Sequence, residues 1–357
     1  MRALRAAVAA VICAGLAGCG SAGSGTQSAG RVAASSSEVS FVVNGTTTYG
    51  TLEVPAHRGD QHLAAALLLA GSGPTDRDGN QQPSLTPNTL RQIAEALEGM
   101  GIMSLRFDKY FTGRTGGGSY ASDPGSIDLN AYIRQANGAF ELLADQPAAD
   151  HQRLLVVGHS EGGMYALLVA ETVSPHPAGL ALVEPQDQRL LDLVALQINE
   201  SLDVQVSQGA ITAETARQNA QGVRQAIEEF RAGQPVDTTG LLPSVVSMLI
   251  PIILTPGNAR LALTDDAIDV PAYAAKLPSG TRVLVTDGTA DRNVPPSTIQ
   301  PLIDGLASAG TTGPGLATLT GLDHDLNPAG TPPNDAPLDP AFLTALRTWA
   351  QPYTPTS

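Results

Sequence analysis

The chain is short of the residues from which most binding chemistries are built. Of its 357 residues only two are cysteine, Cys13 and Cys19, one is tryptophan, and aromatic side chains make up 4%. Two cysteines so near the N-terminus exclude a disulfide framework and leave no Cys/His cluster at zinc spacing. A G-x-x-x-x-G-K-[ST] loop is missing too, which removes the usual phosphate cradle. No metal and no cofactor are therefore expected. Basic residues are outnumbered 34 to 20, for a formal charge of −14. A phosphate backbone would be repelled, so nucleic acid is not an expected partner. With so few aromatics, the core must be built from Ala, Val and Leu. The 42% hydrophobic content with 37 Gly and 26 Pro suits a turn-rich α/β chain.

The N-terminus carries a separate signal. Arg2 and Arg5 precede an apolar run from Ala6 to Leu16, the order found in export signals and too short to span a bilayer. It ends in Leu16-Ala17-Gly18-Cys19, which resembles the lipobox of bacterial lipoproteins. That resemblance implies a signal peptide over 1–18, lipidation of Cys19, and a protein held at the outer face of the cell membrane. Cys13 would leave with the signal. The Ser/Gly/Ala-rich residues 19–37 read as a tether, with folded structure expected from Glu38 onward.

From there the pattern changes period. Val39, Phe41 and Val43 alternate with polar residues, and Asn44-Gly45 offers a tight turn, which predicts a β-hairpin. Leu63 to Ala70 is apolar throughout, as in a strand covered on both faces. Helical and strand patterns then alternate: a helix over 88–98, a strand over 102–107, a helix over 129–144, strands over 153–157 and 179–183. After 270 the rhythm resumes through strands at 282–286 and 316–320 to a last helix over 340–350. This order predicts a mainly parallel sheet with helices on both faces. Residues 186–270 interrupt it with helical pattern alone and read as a cap inserted between the two parts of an α/β domain, 38–185 and 271–353. Within the cap, Leu241 to Leu254 is almost wholly apolar but broken by Pro243 and Pro251. It is either a lid lining an acyl pocket or a packed helix.

Chemistry concentrates where the strand Leu154-Leu155-Val156-Val157 meets Gly158-His159-Ser160-Glu161-Gly162 and then a helix. This is the G-x-S-x-G pattern in the strand-turn-helix context it requires. Small residues two before and two after the serine let strand and helix approach while Ser160 takes a strained turn. On these residues the chain resembles the α/β-hydrolase superfamily of serine hydrolases. That resemblance implies an acid and then a histidine further along. Of six histidines, only His324 follows the last expected strand, where the superfamily places its general base. The loop Asp287-Gly288-Thr289-Ala290-Asp291-Arg292-Asn293-Val294-Pro295 selects Asp291 as its partner, with Asp287 and Glu184 as rivals.

The same resemblance implies an oxyanion hole made by the Glu161 N–H and a second N–H, from Ser72 or Gly73. Residues 71–80, Gly-Ser-Gly-Pro-Thr-Asp-Arg-Asp-Gly-Asn, resemble that loop in a subgroup of bacterial esterases and peptidase-like hydrolases. Ala70 stands where histidine is frequent. Arg106-Phe107-Asp108-Lys109-Tyr110 resembles a second run of the subgroup, and the glycines at 113 and 116–118 predict a mobile loop after it. The resemblance spans about 38–353, with the cap least covered. It implies a membrane-anchored carboxylic ester hydrolase acting on a small ester. A peptidase or thioesterase would use the same triad, and a lipoprotein keeping the fold as a binding module is the reading from a different class.

Overall fold

The computed structural model describes residues 30–334 and 336–355. The signal peptide and Cys19 lie outside the described residues. Eight strands form one sheet: β1 (Ser35–Val43), β2 (Thr46–Val54), β3 (Leu63–Leu69), β4 (Met103–Phe107), β5 (Ala149–His159), β6 (Gly179–Val183), β7 (Arg282–Gly288) and β8 (Thr312–Leu319). Their spatial order is β8-β7-β6-β5-β3-β4-β2-β1. The β1–β2 hairpin and the β2–β4 pair are antiparallel, and every other pair is parallel.

Among the described residues ten α-helices complete the fold. They are α1 (Thr89–Gly99), α2 (Leu129–Ala144), α3 (Glu161–Thr172), α4 (Leu190–Ser207), α5 (Ala213–Arg231), α6 (Pro243–Leu249), α7 (Ala259–Asp266), α8 (Val270–Ala274), α9 (Gln300–Ser308) and α10 (Pro340–Ala350). Both faces of the sheet are covered, as the unbroken apolar run of β3 requires. Leu63, Ala65, Leu67 and Leu69 point into a core shared with α2 and α3, whereas Ala64, Ala66 and Leu68 point into one shared with α1 and α10. The strand period of two divides one run between two cores.

The start of the fold differs from expectation. Ser35, Ser36 and Ser37 pair with Val54, Glu53 and Leu52, and Arg31–Val32 pairs with His57–Arg58. Ser35, Ser36 and Ser37, expected to be tether, are therefore part of the first strand of the sheet. These residues are exposed, and an edge strand held by main-chain bonds needs no apolar side chains to announce it.

Helices α4 to α7 fall between β6 and β7 and pack around a cluster of their own, with Leu191, Ile198, Val223, Ile227, Val245 and Leu249 buried. The apolar segment is packed rather than open: Val245, Leu249 and Ile253 sit in that cluster, and Ile250 is exposed. No single helix among the described residues is long and apolar enough to cross a membrane.

The strand order also says where to look for a site. The crossover from β3 runs to β4 on one side, and the next strand, β5, lies on its other side. Such a switch leaves a crevice at the carboxyl ends of the two central strands, and ligands bind there in open α/β sheets. In this chain those ends lead into Gly71 and Ser160.

Candidate active site

Ser160 stands between β5 and α3 with φ 58° and ψ −127°, a conformation that costs on the order of 1–3 kcal/mol and persists only where its surroundings enforce it. The enforcement is visible. The Ser160 N–H donates to Val183 O at 2.9 Å, and its carbonyl accepts from Gly163 N at 2.8 Å and Gln186 N at 3.0 Å. The flanking glycines are there for contact: a Cβ on Gly158 would lie 1.9 Å from Gly162 O, and one on Gly162 would lie 2.2 Å from Leu69 O. Any side chain at either position would push β5, α3 and β3 apart.

His324 is fixed from two directions. Its Nδ1–H donates to Asp291 Oδ2 at 2.7 Å. The second Asp291 oxygen accepts the Asn293 and Val294 N–H groups at 2.7 and 3.0 Å. This arrangement places the ring proton on Nδ1 and leaves Nε2 as the basic nitrogen. From the other side, His159 Nε2–H donates to the His324 carbonyl at 2.9 Å, and the two rings lie 4.9 Å apart. Burial, reinforced by His324, pushes the His159 imidazole down to about 4, so it stays neutral and adds no competing charge. His324 moves the opposite way. Burial disfavours its cation, but the Asp291 charge and hydrogen bond, helped by Glu184, outweigh that and hold it above the ordinary 6.5.

The rivals for the acid role have other partners. Glu184, at φ 44°, accepts from Gly288 N at 2.6 Å and Thr286 Oγ1 at 3.0 Å. Burial foremost, then the nearby Asp291 charge, pushes its carboxyl well up. Burial and the same charge raise Asp287 to about 6. Among the described residues neither is hydrogen-bonded to His324, and Ser160 Oγ makes no hydrogen bond. Structures without substrate commonly hold the nucleophile–base contact long, and it tightens in the complex.

The loop after β3 closes against the serine. A Cβ on Gly71 would lie 3.0 Å from Ser160 Cβ and 3.4 Å from its Oγ. Ser72 O accepts Thr75 Oγ1 at 2.6 Å and Gln81 Nε2 at 3.2 Å, and Gly73 takes the positive φ of 69° that the turn needs. The two motifs that looked separate in sequence interlock beneath this loop. Arg77 pairs with Asp108 at 2.6 Å, Arg106 pairs with Asp78 at 2.8 Å, and Arg106 reaches Glu53 at 2.9 Å. Asp108 also accepts from Arg114 N, and a Cβ on Gly113 would overlap its carboxylate at 2.2 Å. The first glycine of the loop after 110 is thus there for close approach to Asp108.

No protein-family model matches the chain, and no curated protein matches it either. Solved structures do. Est1E of Butyrivibrio proteoclasticus with ferulic acid bound superposes with a TM-score of 0.54 at 13% identity, covering 88% of this chain and 98% of that one. An esterase of Pyrococcus furiosus gives 0.52 at 13%, covering 90% and 91%. DcsB with a substrate analogue gives 0.53 at 14%, covering 90% and 99%. The chain has the α/β-hydrolase fold.

Within the α/β-hydrolase fold Ser160, Asp291, His324, Glu161, Ser72 and Gly73 each have a definite place. Ser160 occupies the turn after β5, and Glu161 opens α3, so its N–H belongs to the positive end of a helix. Asp291 follows β7 and is bonded to His324, which follows β8. Ser72 and Gly73 follow β3 on the loop that abuts Ser160. His159 and Lys109 are parts of this region that no sequence motif singles out. A histidine beside the nucleophile was the one available signal for the first.

Proposed function

We propose that the chain is a serine hydrolase cleaving carboxylic esters through an acyl-enzyme on Ser160. The observation that carries this is the buried Asp291–His324 pair, bonded at 2.7 Å and held by His159 beside a serine in a strained turn. In the reaction Ser160 Oγ attacks the ester carbonyl carbon while His324 Nε2 takes its proton. The resulting oxyanion is stabilised by the Glu161 and Ser72 N–H groups. Collapse expels the alcohol, which receives the proton from His324, and water then repeats the sequence to release the acid. Esterases among the solved structures of this fold support the substrate class, as does a helical insertion able to shape an acyl site. The Cys19 segment supports export and lipid anchoring at the outer face of the membrane.

The test is labelling by a fluorophosphonate together with hydrolysis of p-nitrophenyl acetate. Wild type should label and turn over, and Ser160→Ala should lose both while keeping its circular dichroism spectrum. A folded wild type that does neither overturns the proposal.

A further inference from the structure

One buried cation lies under the site and takes no part in the triad. Lys109, only 6% exposed, donates from Nζ to Gly71 O and pairs with Glu161 Oε2 at 3.5 Å. These partners belong to the two arms proposed for the oxyanion hole. Gly71 O and Ser72 N–H share one trans peptide unit, whose carbonyl and N–H point in opposite directions. Drawing the carbonyl toward Lys109 therefore sets the direction of the Ser72 N–H. Glu161 supplies the other N–H from its backbone, and its side chain is tied to the same ammonium.

We propose that Lys109 is a positioning residue for the oxyanion hole: by holding Gly71 O and the Glu161 carboxyl together, it fixes the Ser72 and Glu161 N–H groups relative to Ser160. This inference rests on the serine-hydrolase reading above.

The surroundings make the clamp rigid. Burial pushes the Lys109 amine down, and the Glu161 and Asp265 charges oppose that shift. Asp265, on α7 of the helical insertion, is itself buried and accepts from Gln186 Nε2 at 3.0 Å. Its Oδ2 has no hydrogen-bond partner among the described residues. Burial first, then the Glu161 charge, raises its carboxyl well above the ordinary range. Gln186 also bonds the Ser160 carbonyl through its own N–H. The inserted helices, the nucleophile turn and the β3 loop thus meet in one buried polar network around Lys109 and Gln186.

The experiment compares wild type, Lys109→Met and the double variant Lys109→Met/Glu161→Gln. The double variant removes both charges, so a fold lost only through an unpaired buried carboxylate is recovered. Direct loss of one oxyanion donor costs about 10²–10³ in kcat, and misdirecting a donor that remains should cost about 10–100-fold. We expect that loss in kcat for p-nitrophenyl acetate, with KM changed less than threefold. The Ki of a trifluoromethyl ketone should rise as kcat/KM falls, a proportionality that a merely structural defect does not produce. A folded double variant with kcat within threefold of wild type, or an unchanged Ki, overturns the inference and leaves the hydrolase reading standing. A wild type that neither labels nor turns over removes both.

Discussion

Replacing Asp291 by Asn keeps the shape of the acid and removes its charge, and the structure sets the size of the effect. The carboxylate accepts from His324 at 2.7 Å and is buried. With charge centres about 4 Å apart and an effective dielectric of about 20, the attraction for the imidazolium formed during attack is about 4 kcal/mol. That corresponds to nearly a thousandfold in rate at about 1.4 kcal/mol per tenfold. Asn can also donate to Nδ1 and so stabilise the wrong tautomer, which takes the expected loss in kcat/KM to about 10³–10⁴. Glu184→Gln keeps an oxygen for Gly288 N and should cost less than tenfold. The pH profile is a second readout with a definite sign. His324 must be neutral to accept the proton, so activity is present above its raised pKa and lost as pH falls through it. Asp291→Asn should move that acid limb to lower pH while depressing the plateau. Stability follows the opposite rule: the Asp291–His324 interaction contributes fully below the unfolded pKa of about 6.5 and is lost as pH rises through the folded value. Stopped-flow and steady-state assays with p-nitrophenyl acetate across pH 5–9 decide the matter. A hundredfold loss in Glu184→Gln, or an Asp291→Asn variant within tenfold of wild type, refutes the assignment.

Two further outcomes are expected. Arg231→Met should destabilise the protein by about 2–3 kcal/mol in chemical denaturation, below the full cost of a broken buried pair. The reason is that buried Asp266 loses its 2.8 Å partner but keeps Arg189 at 2.9 Å and Leu191 N at 2.9 Å. These partners outweigh burial and hold Asp266 below its ordinary value. Its contribution is therefore present at neutral pH and lost as pH falls through the folded pKa, and the difference from wild type should shrink in acid. A change under 0.5 kcal/mol at neutral pH would contradict this reasoning. Outside the described residues, Cys19→Ser should abolish palmitate incorporation in a bacterial host and move the protein from the membrane fraction. Unchanged labelling rules out Cys19 as the anchor.

The sequence exposed what is local. The apolar run at 63–70, the G-x-S-x-G turn between a strand and a helix, and the periodic helix over 129–144 depend on neighbours a few residues away. What stayed hidden depends on partners far along the chain. His159 meets the His324 carbonyl across 165 residues, and Lys109 meets Gly71 across 38. The ion pairs joining Arg77 to Asp108 and Arg106 to Asp78 cross 31 and 28 residues. The serines at 35–37 read as tether because main-chain pairing leaves no mark on side-chain polarity. The segment Leu241–Leu254 was ambiguous for the same reason, since apolar content does not say what covers it.

The carboxyl groups of Asp187, Glu184, Asp287 and Asp291 lie on the histidine side of the crevice and differ in their hydrogen-bond donors. Asp291 receives two N–H groups on one oxygen and the His324 ring on the other. Asp187 accepts the Thr298 hydroxyl at 2.6 Å, and its other oxygen is buried with no side-chain partner among the described residues. Burial is the main reason that it rises to about 6. Glu184 and Asp287 rise with it. Donors alone do not decide the direction: Glu184 accepts from Gly288 N and Thr286 Oγ1, yet its burial outweighs both. What distinguishes Asp291 is its contact with His324, and the backbone after β7 sets that contact, because the turn presents two N–H groups to one carboxylate oxygen and leaves the other for the ring. Asp287, four residues earlier, accepts none of these bonds, and burial with the nearby Asp291 charge raises it instead.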